Sequence, residues 1–378
     1  MKKYSNSYAV IGLGFGDEGK GLTVNSLCQQ LDDSLVVRFS GGQQAGHTVT
    51  LPDGRKHTFS NFGSGTFQNT PTYWSKYCTF DPVGVMVEYD LLKEKGVQPT
   101  LFIDARSPVT TPYDKRYNRT TSKALEHGTC GTGVGATFER EEKLYSLLAG
   151  DLLYPSVLKI KLDMIKKYYG TEASTEQFFE CCQMVREKFE IVTSLPDALN
   201  YIFEGSQGLL LDQNIGFFPH VTRSNVGSKN VLEIVAENSL QQPKIFLITR
   251  AFQTRHGNGP LTNSSIPHNI TNNPNEDNIL NKYQGEFKKS LLDLDLLRYA
   301  IDKDPYIKSY HSNNLVITCL DLVRNEYRYT AEGSLIYHTD EDSFVSSIGK
   351  ALNIEIIHRI SSPQGVIDIG SPRYRRQF

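Results

Sequence analysis

Short continuous runs of apolar, largely β-branched residues recur at 8–13, 35–39, 100–104, 244–251, 314–322 and 354–360, the pattern of strands buried on both faces. Between them the spacing turns helical. Val24, Leu27, Cys28 and Leu31 repeat on one face behind Lys20, Asp81-Pro82 opens a helix that Gly96 stops, and 157–169, 175–189 and 194–201 form a helical stretch of moderate amphipathicity. Helices are also expected over 291–301 and 340–352. Two antiparallel pairs complete the pattern: 48–51 with 56–59 around a turn at 52–54, and 326–332 with 334–338. Strands interleaved with helices predict an α/β fold.

The polar interruptions at the strand ends are rich in glycine. From Gly14 to Lys20 the chain matches the phosphate-loop pattern G-x-x-x-x-G-K, in which glycines let backbone N–H groups approach a phosphate and the lysine offsets its charge. Two positions depart from it. Gly21 stands where Ser or Thr would hold magnesium, and the carboxylate of Asp17 lies inside the loop. A carboxylate in an anion cradle calls for a divalent cation between it and the phosphate, which makes Asp17 a candidate metal ligand. The plainer reading is a glycine-rich turn whose Asp caps the next helix.

A second glycine-rich loop, SGGQQAGHT at 40–48, follows the second strand, so both loops fall at the carboxyl edge of an α/β sheet, where ligands bind. Its His47 reads as an acid or electrophile, or as a residue at the rim of the core. NFGSG at 61–65 is a third loop. Between 110 and 140 apolar content drops and Lys115, Arg116, Arg119 and Lys123 cluster around GTCGTGVG at 128–135. This composition predicts a long surface loop or arm, either a linker or a phosphate-holding loop. In 202–212 and 217–225, Gln207 and Thr222 are polar groups bounded by apolar runs, placed to face a ligand or to satisfy their own loops. TRHGNGP follows the strand at 244–251, and Asn-rich sequence at 262–281 reads as an exposed excursion. Asp321, closing the run at 314–322, has the chemistry to pair with the N1 and exocyclic amine of guanine, or to cap a helix.

Composition narrows the partners. A net charge of −2 and a pI near 6.5 argue against nucleic acid as the main ligand and favour a small molecule. No apolar run is long enough to span a bilayer, and MKKYSNSYAV leads into a strand without a signal-peptide core, so a cytoplasmic protein is expected. Six cysteines without a C-x-x-C pair give neither a disulfide framework nor a zinc site.

Taken together, GFGDEGKG, SGGQQAGHT, GTCGTGVG, FEGSQGLLLD, VTRSN and TRHGNGP, in this order and spacing, resemble adenylosuccinate synthetase over about residues 8–362. The resemblance implies one domain over 1–378, with a loop-rich arm at about 110–140 and a helical insert at about 157–201. It implies a mixed, largely parallel central sheet with flanking helices and long ligand-binding loops. It also implies a homodimer that uses GTP and Mg2+ to join aspartate to the six-carbon of IMP through a 6-phosphoryl intermediate. By resemblance Asp17 is the general base and a metal ligand with the Gly46 carbonyl, His47 the acid, and Lys20 the stabiliser of phosphoryl charge. GTP would meet Gly16, Asp17, Glu18, Gly19, Lys20, Gly21 and Leu22; Gly46, His47 and Thr48; Cys319, Leu320 and Asp321; and Ser362. IMP would meet Gln44, Ala45, Cys130, Gln207 at the base and Thr222 at the phosphate.

The chain departs from the family pattern in several places. Gln44 replaces Asn, Cys130 replaces Thr, and Cys319 replaces the Lys that accompanies the guanine-reading carboxylate. Where family members carry a Thr- and Arg-rich run for aspartate, this chain has Gln284, Gly285, Glu286, Phe287, Lys288, Lys289 and Ser290, leaving Lys288 and Lys289 as weaker carboxylate partners. Arg140 or Lys143 would replace the arginine that a second subunit lends to the IMP phosphate. A viral branch that aminates a guanine nucleotide such as dGMP holds Ser at the base position, so Asp17 favours the inosine enzyme. The alternatives are a paralogue with another purine or amine, and a non-catalytic nucleotide-binding regulator.

Overall fold

The computed structural model describes residues 5–121, 130–271, 287–310, 313–323 and 326–369. In chain order its strands begin with β1 (Asn6–Gly12), β2 (Ser34–Arg38), β3 (His47–Thr50), β4 (Lys56–Phe59), β5 (Thr72–Trp74), β6 (Leu101–Asp104), β7 (Glu190–Val192) and β8 (Asn200–Glu204). They continue with β9 (Lys244–Arg250), β10 (Phe252–Arg255), β11 (Lys288–Asp293), β12 (Asn314–Thr318), β13 (Arg328–Ala331), β14 (Ser334–Tyr337) and β15 (Ile356–Arg359). Helices α1 (Lys20–Gln30), α2 (Pro82–Glu94), α3 (Pro112–Thr120) and α4 (Val134–Glu142) come first. After them lie α5 (Pro155–Tyr169), α6 (Glu176–Lys188), α7 (Ser228–Glu237) and α8 (Leu294–Lys303).

Nine strands form one sheet in the order β15-β12-β9-β1-β8-β2-β5-β6-β7, parallel at every ladder. Among the described strands, antiparallel ladders join β3 to β4, β10 to β11 and β13 to β14. Helices cover both faces of the large sheet, which explains the unbroken apolar runs. On β1, Tyr8 and Val10 pack with Val24 and Leu27 of α1, whereas Ala9 and Ile11 pack with Val231 and Ile234 of α7. The chain leaves β1 through α1 to reach β2 on one side, and leaves β8 through α7 to reach β9 on the other. Neighbouring β1 and β8 therefore flank a topological switch point, the crevice where open α/β sheets bind ligands.

Five expectations need correction. Among its described residues the stretch 110–140 is largely helical and not a long surface loop: α3 lies within it and α4 begins in it at Val134. Thr111 and Asp114 form a capping box with Pro112 in the first turn. The face that α3 and α4 bury is polar: Arg140 is fully buried and donates to Asp114 Oδ1 (2.9 Å) and to the Val109 carbonyl (2.8 Å). A hydrophobic count therefore misses both helices. Arg140 is also sequestered from any second subunit, unlike the exposed Lys143.

The third expected helix, at 194–201, is absent, since Asn200–Glu204 forms the fully buried strand β8. The helix expected from 291 begins at Leu294, where Asp293 caps it, and Lys288–Asp293 is a strand. The run at 314–322 ends as a strand at Thr318; Cys319 turns it with a φ of 59° into a 3-10 turn that carries Asp321. Lys123, three of the seven aspartate-loop candidates (Gln284, Gly285 and Glu286) and the residues beyond 369 lie outside the described residues.

Candidate active site

The loop after β1 turns through positive φ at Gly16 (94°), Asp17 (53°) and Gly19 (89°), a conformation that glycine adopts freely and Asp tolerates. It points its backbone inward. The Gly14 N–H donates to Glu18 Oε1, and Lys20 Nζ lies 3.7 Å from Glu18 Oε2, so a buried carboxylate sits against the loop's own donors. Burial, the largest influence, pushes the Glu18 carboxyl up to about 7 and the Lys20 ammonium down. Glu18 Oε2 has no hydrogen-bond partner among the described residues.

Gly21 has a steric explanation. A Cβ there would come 2.7 Å from His47 Cβ and 2.8 Å from Ser64 Oγ, so the Ser or Thr of an ordinary phosphate loop is incompatible with this seat for His47. His47, at the start of β3, is buried, and its Nδ1 lies 2.6 Å from Glu204 Oε1 at the end of β8. Glu204 also accepts from the Ser64 N–H (3.0 Å) and hydroxyl, and lies in register with Arg38 of β2. Burial opposes the Glu204 charge, but His47, Arg38 and Ser64 outweigh it and bring the carboxyl down to about 2. His47 itself is pushed down by burial, against the pull of Glu204. Arg38 lies over the Trp74 ring at 5.2 Å, and its Nε and Nη2 have no hydrogen-bond partner among the described residues.

Asp17 is half-buried, and its Oδ2 lies 2.8 Å from His256 Nε2. Burial works to raise its carboxyl, but His256, Arg250 and Lys20 outweigh that and hold it below the ordinary carboxylate value. Lys20 thus acts electrostatically on both Asp17 and His47. Arg250 Nε donates to the Asp17 carbonyl.

The other candidates gather around this pair of loops. The loop after β8 lies on the loop after β1: Leu210 N–H donates to the Gly14 carbonyl (3.0 Å), and a Cβ on Gly12 would meet the Gln207 carbonyl at 2.9 Å. Gln207 Oε1, Gln44 Nε2 and Ser206 Oγ converge on Gly41, within 3.3, 2.8 and 2.5 Å of where its Cβ would stand. The buried Gln44 Oε1 has no hydrogen-bond partner among the described residues. Ala45 N–H donates to the Gly42 carbonyl (3.4 Å) in the same loop. Cys130 Sγ lies 3.1 Å from Thr132 Oγ1, and the Thr132 carbonyl accepts from Gln43 (3.2 Å), which brings 130–134 against the second loop.

Thr222 N–H donates to the Leu211 carbonyl, and nearby Ser224 Oγ accepts from Gly41 N–H (3.1 Å). At the end of β12, Thr318 Oγ1 donates to the Glu18 carbonyl (2.9 Å), which sets Cys319, Leu320 and Asp321 beside the first loop. Ser362 follows β15, the neighbour of β12, and its carbonyl accepts from Gly365 N–H. At the second loop, Thr48 Oγ1 pairs with Thr58 Oγ1 (2.9 Å). Lys288 and Lys289 stand apart on β11, their ammonium groups directed at the carbonyls of Gly259 (3.4 Å) and Ile270 (3.1 Å). Sequence reasoning passed over Glu204, Arg38, Ser64 and His256. Glu204, Ser64 and His256 lie inside FEGSQGLLLD, NFGSG and TRHGNGP, and a charged residue ending a buried strand is the available signal for Glu204 and Arg38.

The adenylosuccinate synthetase family model matches residues 9–327. The chain belongs to that family. It is 30% identical to the adenylosuccinate synthetase of Clostridium acetobutylicum over 68% of this chain and 65% of the relative, slightly under two thirds of that protein's length. To the enzyme of Thermoplasma acidophilum it is 26% identical over 88% of this chain and 81% of the relative. The fold is shared with the fully ligated adenylosuccinate synthetase of Plasmodium falciparum at TM-score 0.75 and 18% identity, over 96% of this chain and 100% of that one. It is also shared with the cyanophage S-2L succinoaminodeoxyadenylate synthetase bound to dGMP and dATP, at TM-score 0.64 and 15% identity, over 96% and 94%.

No group of three or more His, Cys, Asp or Glu side chains among the described residues could hold a metal ion. Glu204 is taken up by His47 and Ser64 and Glu18 is buried against Gly14 and Lys20, so Asp17 is the carboxylate that would suit Mg2+, which ordinarily takes one or two carboxylates and completes its shell with substrate phosphates and water. Among the described residues no helix is long and apolar enough to cross a membrane.

Proposed function

We propose that this protein is a GTP- and Mg2+-dependent ligase, acting in the cytoplasm as a homodimer, that joins aspartate to the six-carbon of IMP through a 6-phosphoryl intermediate. The observation that carries the reading is the convergence at the β1/β8 switch point of an ionised carboxylate, Asp17, with Lys20 and the Glu204-held His47. A phosphate binder needs the lysine; only a reaction that moves a proton needs the other two.

Asp17 takes the N1 proton of the purine, so that the six-oxygen attacks the γ-phosphoryl group: the O6–P bond forms and the bond to the departing nucleoside diphosphate breaks. Lys20 stabilises the charge shared by phosphates and oxygen. Glu204 accepts from Nδ1–H of His47 and so leaves Nε2 for the substrate. The charge of a nearby phosphoryl group favours the imidazolium, which donates to the six-oxygen. The amine then attacks C6, the C6–O bond breaks, phosphate leaves with the oxygen, and the nitrogen gives up a proton to the departing phosphate. Mg2+, held by Asp17 and the Gly46 carbonyl, would neutralise phosphate charge. In this reading Gln207 and Gln44 would read the base, Thr222 would hold its phosphate, and Asp321 would bind guanine.

The test is incubation of the purified protein with GTP, Mg2+, IMP and aspartate, with product read by mass, in parallel with dGMP for IMP, ATP for GTP, and other amino acids for aspartate. Adenylosuccinate is the expected product. Product from dGMP alone would transfer the protein to the deoxyguanylate chemistry, and no product from any combination would leave a nucleotide-binding regulator.

A further inference from the structure

The end of β10 is fastened to the loop after β1 at three consecutive residues. Thr254 Oγ1 lies 3.4 Å from the Gly16 carbonyl, the Arg255 guanidinium lies over the Phe15 ring at 4.2 Å, and His256 Nε2 lies 2.8 Å from Asp17 Oδ2. The clamp is stiff. Arg255 is buried and donates to the carbonyls of Pro260 (2.9 Å) and His220 (3.2 Å), while the His256 ring rests against Phe287 at 4.7 Å between centroids. Asp17 needs such support: it sits in a left-handed turn between glycines, 31% exposed, where a carboxylate without a partner would rotate among several orientations.

We propose that His256 is a positioning residue for Asp17, whose Nε2–H holds Oδ2 so that Oδ1 is the oxygen presented to the N1–H of the purine. The inference rests on Asp17 acting as the base. Proton abstraction needs the acceptor within hydrogen-bond reach and correctly aimed, and a reacting group displaced by an ångström costs about 100-fold in rate. An exposed ion pair without such anchoring would contribute little. Here the three-residue clamp fixes the donor before any ligand arrives.

His256→Leu removes the donor, and His256→Gln keeps an N–H near the same place. The leucine variant is expected to lose about 10- to 100-fold in kcat, as outer-shell partners do, with the KM for the purine nucleotide little changed, and the glutamine variant to recover most of the loss. Wild-type kcat in His256→Leu, a loss confined to KM, or a glutamine variant no better than leucine would overturn the inference. A second measurement does not depend on turnover. In spectra of 15N-histidine-labelled protein, His256 is expected to carry its proton on Nε2, with a resonance that moves in Asp17→Asn; an unmoved resonance would remove the bond and the proposal. Absence of product from the wild type would count against the ligase reading, whereas the spectra decide the pairing itself.

Discussion

Asp17 and Glu18 are neighbouring carboxylates with opposite fates. Asp17 is held ionised by His256, Arg250 and Lys20, whereas Glu18, buried against Gly14 and Lys20, is pushed up to about 7. Asp17→Ala is expected to abolish turnover while nucleotide binding, measured by calorimetry, persists. For Glu18 the folded protein retains a proton that the unfolded chain, with its ordinary value of 4.5, releases at lower pH. Stability from this group therefore falls as pH rises from about 4.5 to 7. Glu18→Gln should flatten that part of the melting-temperature profile; an unchanged decline would assign it elsewhere. At Gly21 the consensus residue is the harmful one. Gly21→Ser is expected to displace His47 and lower kcat about 100-fold with the fold retained by circular dichroism, and undiminished activity would contradict the steric account.

Among elements, α3 and α4 are joined by a buried ion pair, Arg140 with Asp114. Arg140→Met leaves Asp114 buried without its cation and is expected to cost about 3–5 kcal/mol, read as a lower denaturation midpoint. Adding Asp114→Asn should return much of that loss. This pairing also explains what could be read beforehand. β1, β2, β9 and β12 were legible because burial on both faces makes a parallel strand an unbroken apolar run. α3 and α4 were not, because Asp114, Asn118, Thr137 and Arg140 are buried among only three apolar positions, Tyr113, Val134 and Ala136. β11 was hidden by the two lysines that open it. In the site, Lys20, Asp17 and His47 stood out within their loops, but Glu204 and His256 act on residues more than 150 positions away, and no local spacing announces such a pair.

On the scale of the whole molecule, the opposite exits from β1 and β8 bring the loops after them, and the loop after β2, to one crevice. The switch point thus brings together Asp17 and Lys20 from one loop, His47 from a second, and Glu204 at the end of β8, three separate stretches of chain. The central claim is that the purine oxygen is converted into phosphate and expelled. Its most direct test is turnover of IMP carrying 18O at the six position, with GTP, Mg2+ and aspartate, followed by mass analysis of the released inorganic phosphate. The account predicts that the heavy oxygen appears in the phosphate, one atom for each purine aminated. Phosphate free of label, released alongside an aminated purine, would contradict it.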